Sequence, residues 1–300
     1  MNKILFILST KAGSSDFKSF KENIINTYTK HNMLENLKIV ETLDKEHAKR
    51  AAQEFIELPY ENKIIYSCGG DGTLNEVASV VYGSNTALGL IPMGTGNDFS
   101  KNFDYSNFKI EQTINPKISP IDIISINDRI SVNVMSLGFD TSVLRNVYMI
   151  LKKYPFFKKH SFMLGAIYSL LNIESDTLNV ELNLANGKSL VLNDTYTITA
   201  LCNGRYYGSG FNPSPNSILD DGILELLLVK KLSLLKILNL LPKYKKGTHL
   251  NNKKVAIYEV TSGKICSENE IYANCDGEIF KSKYFNFKVL KNSILWANLK

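Results

Sequence analysis

Residues 63–82 read KIIYSCGGDGTLNEVASVVY. An apolar run comes first, then glycines around an aspartate, then an amphipathic stretch. Lys63 to Ser67 predicts a buried strand and Thr73 to Tyr82 a helix, with the glycines at the turn between them. A glycine turn at a strand end leaves main-chain N–H groups bare, and the helix behind it adds a partial positive charge. Gly69, Gly70, Asp71, Gly72, Thr73, Leu74 and Asn75 are therefore a candidate phosphate cradle. Asp71 would repel phosphate unless a divalent cation lay between them, a requirement that a magnesium nucleotide meets. An ordinary strand-to-helix turn is the plain alternative, and the Asp and Thr beside the glycines weigh against it.

The same rhythm extends in both directions. Upstream, Lys3 to Leu8 predicts a strand, with Phe17, Phe20, Ile24, Ile25 and Tyr28 at helical spacing behind it. Leu37 to Glu41 predicts a second strand, followed by a helix capped by Asp44 with Ala48, Ala51, Ala52, Phe55 and Ile56 on one face. Downstream, the strand Ala87 to Ile91 leads into a second glycine loop, PMGTGNDF, at residues 92–99. This alternation predicts an α/β domain, doubly wound around a parallel sheet. Strand ends of such a sheet share one edge, so both loops should face one crevice. Neither loop is a Walker A, and the GxG at residues 94–96 lacks the third glycine of a dinucleotide fingerprint.

From about Pro120 the texture changes to short β-rich runs with turn signals between them. Ile121 to Asn127, Leu178 to Leu184 before Asn186 and Gly187, Tyr196 to Cys202, Ile223 to Val229, Val255 to Val260 and Phe285 to Leu290 predict an all-β, sandwich-like domain. Helical stretches around Val143 to Lys153 and Leu232 to Leu241 are inserted in it. The expected division is residues 1–120 and 121–300, with the last residues free to return to the first domain.

With 300 residues, 44% hydrophobic and 21% charged, the chain can bury two cores, and disorder, collagen and coiled coil are excluded. The Cys and His residues are scattered without a CxxC pair, which disfavours a zinc ribbon, a disulfide frame or a His-based metal centre. No apolar run is long enough for a membrane span or a signal peptide, so a cytoplasmic chain is expected.

The net charge of +6 is unevenly placed. Eight lysines and no acid lie between Leu226 and Tyr258, while Arg145, Lys152, Lys153, Lys158 and Lys159 stand without an acid between Thr141 and Ile173. Elsewhere 22 basic residues face 29 acidic ones. Such patches meet phosphate on a ligand, a nucleic acid or an anionic membrane. Leu232 to Leu241 could be a buried helix with a basic edge or a helix lying on a lipid surface. No recognition helix or zinc finger supports nucleic acid as a partner.

Taken together, GGDGTLNEV and PMGTGNDF resemble the diacylglycerol kinase catalytic domain, and the rest of the chain is similar to the bacterial soluble lipid kinases of that family. Ser9, Thr10, Lys11, Ala12 and Gly13 stand where the family has an Asn-Pro-x-(Ala/Ser)-Gly loop, with Ser-Thr replacing Asn-Pro. Asn203-Gly204, Gly208-Ser209-Gly210, the run Leu219 to Leu224, and Asp276-Gly277-Glu278 match later family segments in order. The resemblance implies an active site in the interdomain cleft, with ATP against Ser9 to Gly13, Thr42, the stretch Gly69 to Glu76, and Thr95. It also implies catalytic Mg2+ on Asp71 and Glu278 as the general base, a role suited to phosphoryl transfer. A structural Mg2+ is implied at Asp221 and the carbonyls of Ile218 and Ile223, with a water network to Asp98, Asp122 and Asp276. Read alone, Asp276-Gly277-Glu278 is a hairpin turn and Asp220-Asp221-Gly222 a solvated one.

The expected activity is ATP-dependent phosphorylation of diacylglycerol to phosphatidic acid, peripherally at the inner face of an anionic membrane, with a homodimer possible. Phosphatidylglycerol and sphingoid or ceramide-like alcohols are alternative acceptors. An NAD kinase shares the Gly-Gly-Asp-Gly-Thr loop, but the Gly-Thr-Gly-Asn-Asp loop and the late Asp-Gly-Glu favour the lipid branch. A non-catalytic nucleotide-binding membrane sensor is disfavoured by the intact Asp71 and Glu278.

Overall fold

The computed structural model describes residues 2–10, 16–44, 46–154 and 161–299, without the side chains of Ser161 and Phe162. The chain forms two compact units, Met1–Ile123 with Lys291–Lys300, and Ile124–Leu290.

The first unit alternates β1 (Lys3–Leu8), α1 (Phe17–Lys30), β2 (Leu37–Glu41), α2 (His47–Ile56), β3 (Lys63–Gly69), α3 (Asp71–Val81) and β4 (Thr86–Pro92). Its strands pair in parallel in the order β2-β1-β3-β4. Alternate residues Ile4, Phe6 and Leu8 join Ile24 and Tyr28 of α1 in one core. Leu5, Ile7 and Ile65 are buried on the other face. A strand buried on both faces must be apolar throughout, as β1 is. The chain passes from β1 to β2 on one side and then crosses back to β3 on the other, so the carboxyl ends of β1 and β3 flank the switch point where such sheets bind ligands.

Two expectations change here. Asp44 does not cap α2. That helix begins at His47 behind Glu46 in the left-handed region (φ 68°), and the Asp44 carboxylate pairs with Arg50 at 2.8 Å instead. The helix α3 begins two residues earlier than its apolar spacing suggests, so Asp71 and Gly72 lie in its first turn and not in a loop.

The second unit is antiparallel. It contains β6 (Arg129–Ser131), β7 (Val134–Gly138), α4 (Phe139–Lys153), α5 (Ser161–Leu171), β8 (Asp176–Leu184), β9 (Ser189–Cys202), β10 (Leu224–Lys230), α6 (Leu234–Lys246) and β11 (Val255–Cys275). The strands β5 (Lys117–Ile126) and β12 (Glu278–Asn298) carry the chain from unit to unit, and Leu295 and Trp296 of β12 extend the first sheet in parallel beside Ala87 and Leu88 of β4. Leu224, Leu226 and Leu228 of β10 enter one core with Val180, Ile265 and Phe285. Leu227 and Val229 enter another beneath α4 and α6, with Val143, Val147, Ile237 and Leu240. The expected strands Val255 to Val260 and Phe285 to Leu290 are parts of β11 and β12, each 21 residues long. The helix expected at Leu232 to Leu241 starts at Leu234 and continues through Pro242 to Lys246. The four cysteines are free thiols.

Candidate active site

The carboxyl ends of the parallel strands carry the candidate nucleotide residues. Ser9 follows β1 and donates its amide to the Cys68 carbonyl (2.9 Å), while the Thr10 hydroxyl donates to the carbonyl of Thr42, which is buried at the end of β2. Lys11, Ala12 and Gly13 lie outside the described residues.

At the ends of β3 and β4 the two glycine loops are sewn together. The amides of Met93 and Gly94 donate to the Gly69 carbonyl at 2.9 and 3.2 Å. A Cβ on Gly94 would stand 2.4 Å from the Cα of Gly70, and one on Gly69 would stand 2.6 Å from the Thr73 hydroxyl. Gly94 is thus required for packing loop on loop and Gly69 for packing against Thr73, reasons separate from phosphate. Gly72 differs: a Cβ there would meet nothing within 4 Å. It is exposed in the first turn of α3, whose start at Gly70 has no side-chain cap, so no capping side chain occupies the N-terminal amides of this helix. Thr95 is exposed on the second loop, and the side-chain oxygen of Asn75 is buried without a partner among the described residues.

Asp71 links the loops. One carboxylate oxygen accepts the Asp98 amide at 3.0 Å and the other the Phe99 amide at 2.9 Å. Burial pushes its carboxyl above the usual range, and the two amides oppose that shift. Its first task is therefore to hold the second loop, and each oxygen keeps outer lone-pair capacity toward a cation. Asn97, in the left-handed region at φ 50°, clasps the same loop by accepting the Gly94 amide and donating to the Gly94 carbonyl. Asn is among the few residues that adopt this conformation readily, which is the sequence signal for its role.

In the second unit, Asp276 and Gly277 are the two central residues of the β11–β12 hairpin, with φ of 46° and 96° and Cys275 opposite Glu278. The hairpin reading is therefore correct for the local geometry, and the turn has further anchors. The Asp276 carboxylate accepts the amides of Val132 (2.7 Å) and Val134 (3.0 Å), and the Tyr148 hydroxyl donates to the Gly277 carbonyl (2.7 Å). Glu278 leaves this clamped turn half-exposed, 3.9 Å from the Arg129 guanidinium, which itself lies over the Phe280 ring. Neither Tyr148 nor Arg129 stands out in the sequence, because each acts through a contact more than 120 residues away.

The residues named for a structural cation also make contacts within the protein. The Asp221 carboxylate accepts the Ile223 amide at 2.9 Å around Gly222 (φ 74°), and Ile218 is exposed. Asp122 accepts the Asn292 amide, Asp98 pairs with Lys101, and Asp276 holds the hairpin. Among the described residues no three Asp, Glu, His or Cys side chains form a metal cluster.

Residues 3–126 match the diacylglycerol kinase catalytic domain, and residues 133–294 match the YegS C-terminal NAD kinase beta sandwich-like domain. The chain belongs to the YegS and diacylglycerol kinase family of lipid kinases. It is 26% identical over 307 residues to a Yersinia enterocolitica protein named "Probable lipid kinase YegS-like", covering 98% of this chain and 96% of that one. A Staphylococcus haemolyticus protein named "Diacylglycerol kinase" is 29% identical over 242 residues, covering 77% and 69%. The crystal structure of a diacylglycerol kinase from Bacillus anthracis has the same fold, with a TM-score of 0.73 over 99% of this chain and 96% of that one at 20% identity. This lipid kinase is accordingly a phosphotransferase with an alcohol acceptor, and the family's phosphoryl donor is ATP. No helix among its described residues is long and apolar enough to cross a membrane.

Proposed function

We propose that this lipid kinase transfers the γ-phosphate of ATP to the free hydroxyl of diacylglycerol, giving phosphatidic acid and ADP. The observation that carries this reading is the opening at Gly72, where uncapped N-terminal amides of α3 adjoin two interlocked glycine loops at a sheet switch point. Ser9, Thr10, Thr42, Gly70, Gly72, Thr73, Asn75, Glu76 and Thr95 surround the triphosphate in this reading, with Gly69 and Leu74 supporting the turn. Glu278 accepts the hydroxyl proton as the lipid oxygen bonds to the γ-phosphorus and the bond to the bridging β–γ oxygen breaks.

The donor chemistry suits Mg2+, which supplies charge neutralisation at the phosphates. It usually takes one or two carboxylates together with substrate phosphates, so Asp71 suffices without a three-acid cluster. Asp221 with the carbonyls of Ile218 and Ile223 offers hard oxygens to a second, structural ion. Diacylglycerol is favoured over other alcohols by the name of the Staphylococcus relative. The acceptor is met at an anionic membrane surface.

Purified protein with labelled ATP, offered diacylglycerol, phosphatidylglycerol, ceramide, a sphingoid base and NAD in parallel, tests the assignment. Label in phosphatidic acid is expected. Transfer only to another lipid would reassign the acceptor, and transfer to NAD would move the chain to the NAD kinase branch.

A further inference from the structure

The helices α4 and α5 of the second unit pack in a way that α6 does not. In α6 the bulky residues Ile237, Leu240 and Tyr244 point inward, and the lysines point outward together with Leu234, Leu235 and Leu238. In α5 the order is inverted. Its buried positions are the small residues Gly165 and Ser169. A Cβ on Gly165 would stand 2.6 Å from Val147 of α4, and Ser169 accepts the Asn146 side-chain amide at 2.7 Å. Leu170 packs against the core, but four other large residues face outward: Met163 is 57%, Ile167 49%, Tyr168 49% and Leu171 73% exposed. Tyr148 and Met149 of α4 are exposed as well.

The sequence of α5, SFMLGAIYSLL, contains no charged residue. A helix apolar all round belongs in a core or in lipid, and small residues at the helix–helix contact with large ones outside are the arrangement found where lipid is the solvent. At 11 residues α5 is too short to cross a bilayer, so lying in the interface is the geometry open to it.

We propose that the outward face of α4 and α5 is the surface through which this kinase enters an anionic phospholipid bilayer. The charges around this face favour that occupant. Lys152 and Lys153 are exposed at the end of α4, and residues 141–173 contain no acid. Each lysine near an anionic leaflet contributes on the order of 1 kcal/mol. A second copy fits less well, because an isologous contact would set the exposed lysines at the end of α4 against a face with the same positive charge. The face is also tied to the candidate base, since Tyr148 bonds the Gly277 carbonyl one residue before Glu278. Membrane entry and placement of the acceptor hydroxyl then involve one helix, α4. The proposal rests on the lipid-kinase reading only for its purpose, not for its binding.

Co-sedimentation with vesicles of mixed phosphatidylglycerol and phosphatidylcholine, without nucleotide, tests it directly. The double variant Ile167→Glu with Leu171→Glu should bind at least about tenfold more weakly than the parent, and Leu235→Glu on α6 should keep most of the binding. Met163→Glu repeats the test if the double variant folds poorly. Turnover of a water-soluble short-chain diacylglycerol should be unchanged in all three. Unaltered vesicle binding by the double variant, or an equal loss in Leu235→Glu, overturns the proposal. So does a parent dimer that the double variant dissociates while vesicle binding persists. Loss of vesicle binding in a protein that phosphorylates no lipid would uphold the surface and sink the kinase assignment instead.

Discussion

The dipeptide Asp-Gly appears at residues 71–72, 221–222 and 276–277, and the first and last have opposite local structures with the same tertiary task. Asp71-Gly72 opens a helix, whereas Asp276-Gly277 closes a hairpin. In each, the carboxylate leaves its own turn and accepts main-chain amides of another segment: Asp98 and Phe99 in the first unit, Val132 and Val134 in the second. Buried amides need acceptors, so an aspartate able to reach two of them stitches a distant loop at little cost in chain entropy. The glycines differ in duty. Gly277 supplies a backbone conformation that a side chain resists, at φ 96°, while Gly72 supplies empty space.

The widest separation between the two turns is expected from the residue after the second one. Glu278→Gln should lower kcat by about 10²- to 10⁴-fold, with nucleotide affinity by calorimetry nearly unchanged; ordinary turnover would strip Glu278 of its assigned role. Asp276→Ala should follow, costing about 2–4 kcal/mol in urea unfolding because the amides of Val132 and Val134 lose their acceptor. Asp71→Ala should also destabilise, but with a fall in magnesium-nucleotide affinity that Asp276→Ala lacks. Equal affinities in the two variants would erase the distinction.

Smaller and sharper is the contrast between glycines. Gly94→Ala forces a Cβ onto Gly70 and should cost about 1–3 kcal/mol, whereas Gly72→Ala should stay within about 0.5 kcal/mol of the parent and still weaken nucleotide binding. A Gly72→Ala protein that binds nucleotide normally would mean that the opening above α3 is not the triphosphate site.

A further effect lies outside both turns. Asp140, at the start of α4, is pushed up to about 7 by burial, against a hydrogen bond from Tyr207. A carboxyl raised in the folded state adds stability that is full below its unfolded value of 3.8 and is lost as pH rises to about 7. Melting temperature should therefore decline over that interval, and Asp140→Asn should flatten the decline. A slope unaltered by the substitution would assign it to other groups.

The first unit was legible because parallel strands buried on both faces and helices with one apolar stripe leave distinct periods, as in Lys3 to Leu8 and Ala48 to Phe55. In the second unit β10 was legible for the same reason. The helix α5 was not, since a helix without a polar face has no period to read. The short β6 and β7 were also missed, as β6 has only three residues and β7 is buried throughout, so neither shows an alternation of polar and apolar positions. At the candidate site, the glycines and aspartates could be named from their spacing. Asn97 carried a conformational hint, and Tyr148 and Arg129 none at all.

What the amino-acid order determined by itself was local: which segments are strands or helices, where the glycine turns fall, and the family motifs strung from Ser9 to Glu278. What only the tertiary structure decided was the use made of each motif residue, namely that Asp71 and Asp276 hold other loops, that Gly94 exists to admit Gly70, and that Gly72 leaves room. The physical reason is that periodicity and turn chemistry act between neighbours in the chain. Hydrogen-bond acceptance and steric clearance depend on whichever segments the fold brings within about 3 Å.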